Sequence, residues 1–308
     1  MAAQKDTITL APAQDATKRS AIGGPVLVVY NEKAGSVRPG DRERLREILD
    51  DRSIEITDIV EDHFDDAALF TRAKSASAII VLGGDGTAQA MAQSAPADAP
   101  PLILLPGGTL NMLPRALYGE RPWPDALIAA LEEGVETRLP LGRANGKAFF
   151  VAAMFGAPTL LARAREALRE GQPLSALKRL RHAIKRITSR SVRARPDGGR
   201  IQKAAAIGVL CPSFDGEVEG SYLEWARLES AAIHDLIRIG ARALQQNWRV
   251  DPAVDVHECR SGDIVSLGVV PAILDGEPTT FLSRVKITFE QHGPRVLSLA
   301  REARRRED

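Results

Sequence analysis

The sequence predicts an α/β protein with an N-terminal domain built on a parallel sheet and a C-terminal, β-rich domain resembling an antiparallel sandwich. Short apolar runs, each followed by a loop and a helical pattern, recur over residues 25–141. This order is typical of a parallel sheet covered by helices. From residue 142 to residue 300, Val- and Ile-rich segments appear without regular helices between them, which indicates antiparallel strands.

Four strands and four helices are predicted in the first domain. Each strand is a short run rich in apolar residues, and each helix has apolar residues at helical spacing. The predicted strands are Pro25–Tyr30, Ser53–Val60, Ala78–Leu82 and Leu102–Leu105. The predicted helices are Arg42–Asp50, Asp65–Lys74, Ala88–Ser94 and Leu110–Tyr118.

The remaining segments complete the predicted organisation. Residues 1–24 are rich in Ala, Thr and Gln and predict a disordered leader, and residues 301–308 predict a charged, frayed tail. A long basic stretch, Leu160–Arg190, predicts a helix within the second domain. Strands in that domain are expected at Ala148–Ala153, Ala204–Leu210, Asp263–Val270 and Arg284–Phe289.

Composition restricts the class of partner. The formal net charge of +1 does not favour nucleic acid, and no apolar run approaches the ~18–20 residues that a membrane span needs. The two cysteines, Cys211 and Cys259, lie far apart and are expected to be ordinary buried thiols in a reducing compartment. We therefore predict a cytoplasmic protein that contacts membranes only peripherally, on the inner face. A homodimer is compatible with the sequence.

Three glycine-containing loops follow strands of the first domain, at Asn31–Gly35, Gly83–Thr87 and Pro106–Asn111. Glycine lets the backbone approach a polyphosphate closely, so that successive N–H groups and a helix N-terminus converge on anionic oxygens. One such loop is usually only a turn. Three loops on neighbouring parallel strands meet at one edge of the sheet, and together they predict a phosphate site.

Asp85 stands between glycines, where it is suited to bind Mg²⁺ or a hydroxyl. An Asx-turn or a helix cap is the structural alternative. Thr87 and Thr109 could hold a phosphate or ribose, or could cap the helices that follow them.

The order of these loops resembles the catalytic domain of diacylglycerol kinases, a family that includes bacterial lipid kinases and is related to sphingosine and ceramide kinases. Asn31 and Gly35 match its N-P-x-x-G loop, and Gly83–Thr87 reproduce its GGDGT motif. Pro106, Gly108, Thr109 and Asn111 match P-x-G-T-x-N. Far downstream, Asp275-Gly276-Glu277 looks like the family's D-G-E. GGDGT alone also occurs in NAD kinases and phosphofructokinases.

The resemblance implies an ATP-dependent lipid kinase with Mg²⁺ as cofactor. It places ATP between the two domains, makes Glu277 the proton acceptor for the substrate hydroxyl with Asp275 beside it, and gives Asp85 a catalytic and metal-binding role. Asp275-Gly276-Glu277 also reads as a simple hairpin turn. The implied ATP-binding residues are Asn31, Lys33, Gly35, Gly83, Gly84, Asp85, Gly86, Thr87, Gly108, Thr109 and Asn111.

Several positions depart from the family pattern. Glu32 replaces a proline, and Gln89-Ala90-Met91 replaces the asparagine and glutamate that usually follow GGDGT. Met112 follows Asn111 where many relatives have aspartate or histidine. Glu229 stands in a segment that supplies a magnesium site in bacterial members, and it is a candidate metal ligand. A nucleotide-binding regulatory protein with weak or no catalysis, and an enzyme similar to NAD kinases, are therefore the alternatives to a lipid kinase.

The basic stretch suggests a membrane contact. Apolar residues recur at helical spacing between cations, and such a helix can lie on an anionic bilayer or dock on its own domain with a solvated basic face. The residues expected to contact lipid are Leu177, Lys178, Arg179, Lys185 and Arg186. The substrate itself is expected to be a diacylglycerol-like or sphingoid alcohol.

Overall fold

The computed structural model describes residues 22–61, 66–156, 191–215, 220–229 and 248–304. Within these ranges the chain forms three six-stranded sheets, one in the N-terminal part and two packed in the C-terminal part. The predicted fold class is confirmed.

The first sheet has the strand order β2-β1-β3-β4-β18-β5. Every neighbouring pair is parallel except the last, in which β18 and β5 are antiparallel. β1, β3 and most of β4 are buried, as expected for a sheet with helices on both faces. The six strands are β1 (Val26–Tyr30), β2 (Ile56–Glu61), β3 (Ala78–Gly83), β4 (Leu102–Pro106), β5 (Val135–Arg138) and β18 (Arg295–Ser298).

Helices accompany this sheet. Helix α3 begins at Asp85, directly after the glycines, rather than at Ala88 as expected, and the sequence analysis had not identified α5. The helices are α1 (Asp41–Asp50), α2 (Asp66–Arg72), α3 (Asp85–Ser94), α4 (Met112–Tyr118), α5 (Trp123–Glu133) and a short terminal α6 (Arg301–Arg304).

The two remaining sheets are antiparallel and share a core of buried aliphatic and aromatic side chains. One has the order β10-β9-β14-β17-β6-β7, and the other β13-β12-β11-β8-β15-β16. Their strands are β6 (Leu141–Ala144), β7 (Lys147–Phe149), β8 (Ala152–Gly156), β9 (Val192–Pro196), β10 (Gln202–Ala204), β11 (Ala206–Leu210), β12 (Leu223–Leu228), β13 (Val254–Cys259), β14 (Ser261–Val265), β15 (Val270–Leu274), β16 (Glu277–Phe281) and β17 (Arg284–Glu290).

The chain does not divide into two consecutive blocks. β18 was expected in the second domain, but it pairs with β4 and β5 of the first sheet. The hydroxyl of Tyr118 in α4 donates to the Leu297 carbonyl of this strand at 2.7 Å. Val296, Leu297 and Leu299 are buried in the first core, so the last strand closes the N-terminal sheet.

Three expected strands differ from the observed ones. Ala148–Ala153 is interrupted at Phe150 and Val151, where the backbone N–H groups bond a carboxylate instead of a neighbouring strand. Asp263–Val270 spans the end of β14, a loop and the start of β15, because the chain crosses there from one sheet to the other. Ala204–Leu210 is likewise divided between β10 and β11.

Candidate active site

The three glycine loops meet at one edge of the first sheet. β1, β3 and β4 are parallel neighbours, so their carboxyl ends coincide. The N–H of Ser36 in the first loop donates to the Gly107 carbonyl of the third loop at 2.9 Å. The N–H of Gly107 donates to the Gly83 carbonyl at 3.1 Å. The loops therefore form one connected surface, as the sequence predicted.

Asn31 joins the first loop to the second. Its Nδ2 donates to the Thr87 hydroxyl at 3.1 Å, and its Oδ1 accepts the N–H of Lys33 at 3.0 Å. A Cβ on Gly35 would lie 3.2 Å from the Thr109 hydroxyl. Asn31 thus shapes the loop with its side chain, while Lys33 and Gly35 are exposed on the surface.

The second loop brings a helix N-terminus to this edge. The first intrahelical hydrogen bond of α3 runs from the Ala88 N–H to the Gly84 carbonyl at 3.0 Å. The N–H groups of Asp85, Gly86 and Thr87 precede that bond and lie at the positive end of the helix dipole. A Cβ on Gly83 would meet the Thr87 side chain at 2.8 Å, which explains why glycine is needed there. The arrangement is suited to bind an anion such as a phosphate.

Asp85 connects the second loop to the third. One carboxylate oxygen accepts the N–H of Leu110 and the other accepts the N–H of Met112, each at 3.1 Å. Asp85 is half-buried, and each of its oxygens keeps a second lone pair. The side chain was predicted as a metal ligand and catalytic group. In the structure its carboxylate anchors the main chain of the third loop.

Asn111 braces the third loop from within. It has a left-handed backbone with φ of 50°. Its side-chain amide forms hydrogen bonds with both the N–H and the carbonyl of Gly108. Its Oδ1 accepts the Gly108 N–H at 2.7 Å, and its Nδ2 donates to the Gly108 carbonyl at 3.1 Å. The Ser36 hydroxyl donates to the same carbonyl at 2.6 Å. Thr109 is left exposed at the tip of the loop.

The second domain contributes a two-residue hairpin between β15 and β16. Asp275 and Gly276 both have positive φ, 45° and 91°, and Leu274 pairs with Glu277. This is the geometry of a type I′ turn, for which Asp-Gly is a favoured pair. Glu277 is the first residue of β16 and is exposed.

Asp275 is buried and holds a neighbouring segment in place. Its carboxylate accepts the N–H groups of Phe150 at 2.6 Å and of Val151 and Ala152 at 2.8 Å. Burial raises the pKa of Asp275 to about 6, although the three N–H groups act in the opposite direction. The nearby carboxylate of Asp85 adds to the increase in this pKa. Asp275 therefore fixes the turn rather than presenting a free carboxylate.

The hairpin contacts the third loop of the first domain. A Cβ on Gly276 would lie 2.9 Å from Leu110 Cδ1 and 3.7 Å from Met112 Sδ. Met112, one of the departures from the family pattern, thus packs near this turn. Glu277 directly follows this contact in the sequence.

The other departures lie on the surface of the site or beside it. Glu32 is exposed on the first loop, and Gln89 is half-buried on α3. No hydrogen bond of the described residues explains either substitution.

Glu229 is not brought to this site. It directly follows the last residue of β12. The first residue of β12, Leu223, is the one aligned with the hairpin, through the pairing of β12 with β11, β11 with β8, and β8 with β15. Glu229 is thus six residues beyond Leu223, an offset of roughly 20 Å along the strand at the usual rise per residue. Glu229 is exposed and forms an ion pair with Arg227 at 2.5 Å. Among the described residues, no cluster of three or more His, Cys, Asp or Glu side chains could hold a metal ion.

Both cysteines are buried and unlinked. Burial raises the pKa of Cys259 to about 12 and raises that of Cys211 well above its usual value. Neither thiol is therefore activated as a nucleophile.

The residues predicted to contact lipid, Leu177, Lys178, Arg179, Lys185 and Arg186, lie outside the described residues. Of the cations that follow them, Arg193 and Arg195 lie on β9. No helix in the described part of the chain is long and apolar enough to cross a bilayer.

Sequence reasoning missed the segment Phe150–Ala152, whose three N–H groups hold Asp275, and it missed the bridging role of Ser36. Main-chain donors carry no sequence signal. Ser36 could have been noticed only as a hydroxyl in a glycine loop.

Comparison with known proteins identifies the first domain. Residues 25–149 match the family model of the diacylglycerol kinase catalytic domain. This segment is therefore similar to that family. The matched segment contains all three glycine loops, whereas the hairpin with Glu277 lies beyond the matched residues. No curated protein matches the chain in a sequence comparison.

Solved structures extend the likeness of the kinase catalytic domain to the whole fold. An assigned diacylglycerol kinase from Bacillus anthracis str. Sterne has a TM-score of 0.63 and 18% identity, covering 89% of this chain and 96% of that chain. A second diacylglycerol kinase structure from the same organism has a TM-score of 0.58 and 16% identity, with the same coverage. An NAD kinase from Archaeoglobus fulgidus in complex with ATP has a TM-score of 0.52 and 13% identity, covering 91% and 96%. At these identities the likeness shows the fold.

Proposed function

We propose that this protein is an ATP-dependent lipid kinase that transfers the γ-phosphate to the hydroxyl of a diacylglycerol-like or sphingoid lipid. The observation that carries the proposal is the contact between the Asp275-Gly276 turn and the third glycine loop. Glu277, an exposed carboxylate, directly follows this turn and would face the edge that is suited to bind phosphate.

The N-terminal loops supply the groups for ATP. The phosphates would lie against the N–H groups of Asp85, Gly86 and Thr87 and the exposed Thr109, with Lys33 as a nearby cation. Carboxylate oxygen is a preferred Mg²⁺ ligand, and Mg²⁺ in kinases is usually held by one or two carboxylates and the phosphates. Asp85 fits that requirement, and the bound ion would neutralise phosphate charge.

Glu277 is the proposed proton acceptor. The substrate O–H gives its proton to this carboxylate as the oxygen attacks the γ-phosphorus and the bond to the ADP oxygen breaks. Phosphoryl transfer depends mainly on positioning and charge neutralisation. A carboxylate that accepts the proton would therefore complete the set of groups. Asp275 positions this residue through the turn and does not itself take the proton.

The test is transfer of radiolabelled γ-phosphate from ATP to a panel of alcohols by the full chain. The panel contains diacylglycerol, sphingosine, ceramide and phosphatidylglycerol in detergent micelles, and NAD in solution. We expect one lipid to be labelled and expect Glu277→Gln to lower kcat by at least ~10²-fold. Glu258→Gln, an exposed glutamate on β13, is the matched control and should retain full activity.

Two results would replace the proposal. Labelling of NAD alone would indicate an enzyme similar to NAD kinases, whose ATP-bound relative shares the fold. Binding of Mg·ATP in calorimetry without transfer to any acceptor would indicate a nucleotide-binding regulatory protein.

A further inference from the structure

Two loops at one end of the β-sandwich expose aliphatic side chains. Residues 266–269 connect β14 to β15, and residues 282–283 connect β16 to β17. The N–H of Ser266 donates to the Ser283 carbonyl at 2.9 Å, which holds the loops side by side. Four of the eight large apolar side chains that are strongly exposed in the described residues lie here. We call Val265, Leu267, Val269 and Leu282 the aliphatic cluster.

The exposure of this cluster is unusual for leucine. Leu267 is fully exposed and Leu282 is 81% exposed, while Val265 and Val269 are 38% and 46% exposed. A single exposed apolar residue needs no explanation, but a contiguous group marks an interaction site.

Cations lie next to the aliphatic cluster, on the solvent-facing side of the sheet that contains β9, β10, β14 and β17. Strand pairing places Lys203 beside Arg193, Arg193 beside Val265, and Val265 beside Arg284. The next row contains Arg195, Asp263 and Lys286. Side chains between them in sequence, such as Ala194, Ile264 and Val285, point into the core. We call the five cations of these two rows the basic face.

The basic face keeps a positive charge. Its one carboxylate, Asp263, is shared by Arg195 at 2.9 Å and Arg284 at 2.8 Å. These bonds lower the pKa of Asp263, so it stays ionised and offsets one of the five charges. Arg193, Lys203 and Lys286 are exposed on this face.

Aliphatic side chains next to a positively charged face suit the surface of an anionic bilayer. The apolar groups enter the boundary between headgroups and acyl chains, and each cation near the surface adds attraction to anionic lipid. A second copy of the chain fits less well, because two identical basic faces would repel each other. We propose that this end of the sandwich docks on anionic phospholipid membranes, through the aliphatic cluster and the basic face.

The docking surface is separate from the candidate active site. The Asp275-Gly276 turn lies at the other end of β15, five residues away, which is roughly 16 Å at the usual rise of a strand. The proposal fits a kinase that acts on lipids, but it concerns attachment and is measured without turnover.

The experiment is sedimentation of the full chain with vesicles of phosphatidylcholine, alone or mixed with phosphatidylglycerol. We expect binding to the mixed vesicles that weakens with added salt. Leu267→Ser/Leu282→Ser and Arg193→Glu/Lys203→Glu should each weaken binding by at least about tenfold. The matched controls are Val250→Ser, an exposed aliphatic residue outside both surfaces, and Arg46→Glu/Lys74→Glu, exposed cations of the N-terminal part. Both controls should bind as the wild type does.

Three results would overturn the proposal. The first is a wild-type protein that does not sediment with anionic vesicles. The second is unchanged binding in both variant pairs, which would assign membrane contact to another segment. The third is a wild-type dimer, seen by light scattering, that the leucine variant dissociates. Turnover on lipid in detergent micelles should be equal in wild type and variants, so a failure of docking is distinguishable from a failure of the kinase function.

Discussion

The carboxylate of Asp85 accepts a hydrogen bond from the N–H of Met112 at 3.1 Å, across 27 positions of the chain. Its other oxygen accepts the N–H of Leu110. The signature aspartate of the second loop thus determines the path of the third loop. Met112 and Leu110 in turn face the hairpin that carries Glu277. One side chain therefore connects the phosphate edge to the proposed proton acceptor.

Replacing Asp85 by asparagine should affect both stability and nucleotide binding. The amide can accept only through one atom, so either Leu110 or Met112 would lose its acceptor. We expect the free energy of unfolding to fall by about 1–3 kcal/mol and Mg·ATP binding to weaken strongly. Urea denaturation and calorimetry measure the two effects. Asp98→Asn, at an exposed loop position, should change neither. Full stability in Asp85→Asn would contradict the anchoring role.

Substitutions of Asp275 and Glu277 should have different effects on stability and turnover, although the two residues are only two positions apart. Asp275→Asn leaves at least one of three main-chain N–H groups facing an amide N–H₂, so unfolding free energy should fall by about 1–3 kcal/mol. Glu277→Gln alters an exposed side chain, so its stability should stay within about 0.5 kcal/mol of wild type while turnover is lost. Thermal unfolding of both variants provides the comparison. Equal destabilisation would refute the assignment of different roles.

The raised pKa of Asp275 predicts a pH dependence of stability. Burial raises it from 3.8 to about 6, so the folded state binds this proton more tightly than the unfolded state. The stabilisation from this group is therefore full below pH ~4 and is lost as the pH rises through about 6, with an upper bound of about 3 kcal/mol. The stability difference between wild type and Asp275→Asn should shrink as pH rises from 4.5 to 7.5. A difference that grows over this range would mean that the pKa is lowered instead.

Gly86 and Gly108 differ in the space around them, so alanine substitutions at the two positions should have different effects. A Cβ on Gly86 meets nothing within 4 Å, whereas a Cβ on Gly108 would lie 2.5 Å from Asp85 Oδ2 and 2.7 Å from its backbone nitrogen. Gly108→Ala should lower unfolding free energy by about 1–3 kcal/mol. Gly86→Ala should leave stability unchanged or slightly higher, yet raise the Kd for Mg·ATP if phosphates lie against α3. Unchanged ATP binding in Gly86→Ala would show that the phosphates do not lie against this helix.

Glu229→Gln tests the metal role predicted from the resemblance. Glu229 lies at the far end of β12 from the hairpin and pairs with Arg227, which also bonds Asp255. We expect an unchanged Mg²⁺ concentration dependence of turnover and a stability loss below about 1 kcal/mol. A shifted Mg²⁺ requirement would return this residue to the active site.

The sequence was sufficient for features that depend on local patterns. Strands such as Ala78–Gly83 are continuous apolar runs, and glycine after them marks the loops. Asp-Gly is a favoured dipeptide for the backbone geometry of this turn. The same residues therefore indicated both the hairpin and the family resemblance. The start of α3 was placed three residues late because glycine next to Asp85 obscures helical periodicity.

Linear sequence determined the order of strands and loops, the resemblance of residues 25–149 to a kinase family and the residues that could carry chemistry. Tertiary structure alone decided that β18 closes the first sheet, that Asp85 and Asp275 bond main-chain groups, and that Glu229 lies far from both. Turn and strand preferences act over a few residues, which is why they are readable along the chain. The hydrogen-bond partner of a carboxylate depends on which distant strands become neighbours. The arrangement of those strands is determined by the packing of apolar side chains into two cores, which involves residues far apart in the sequence.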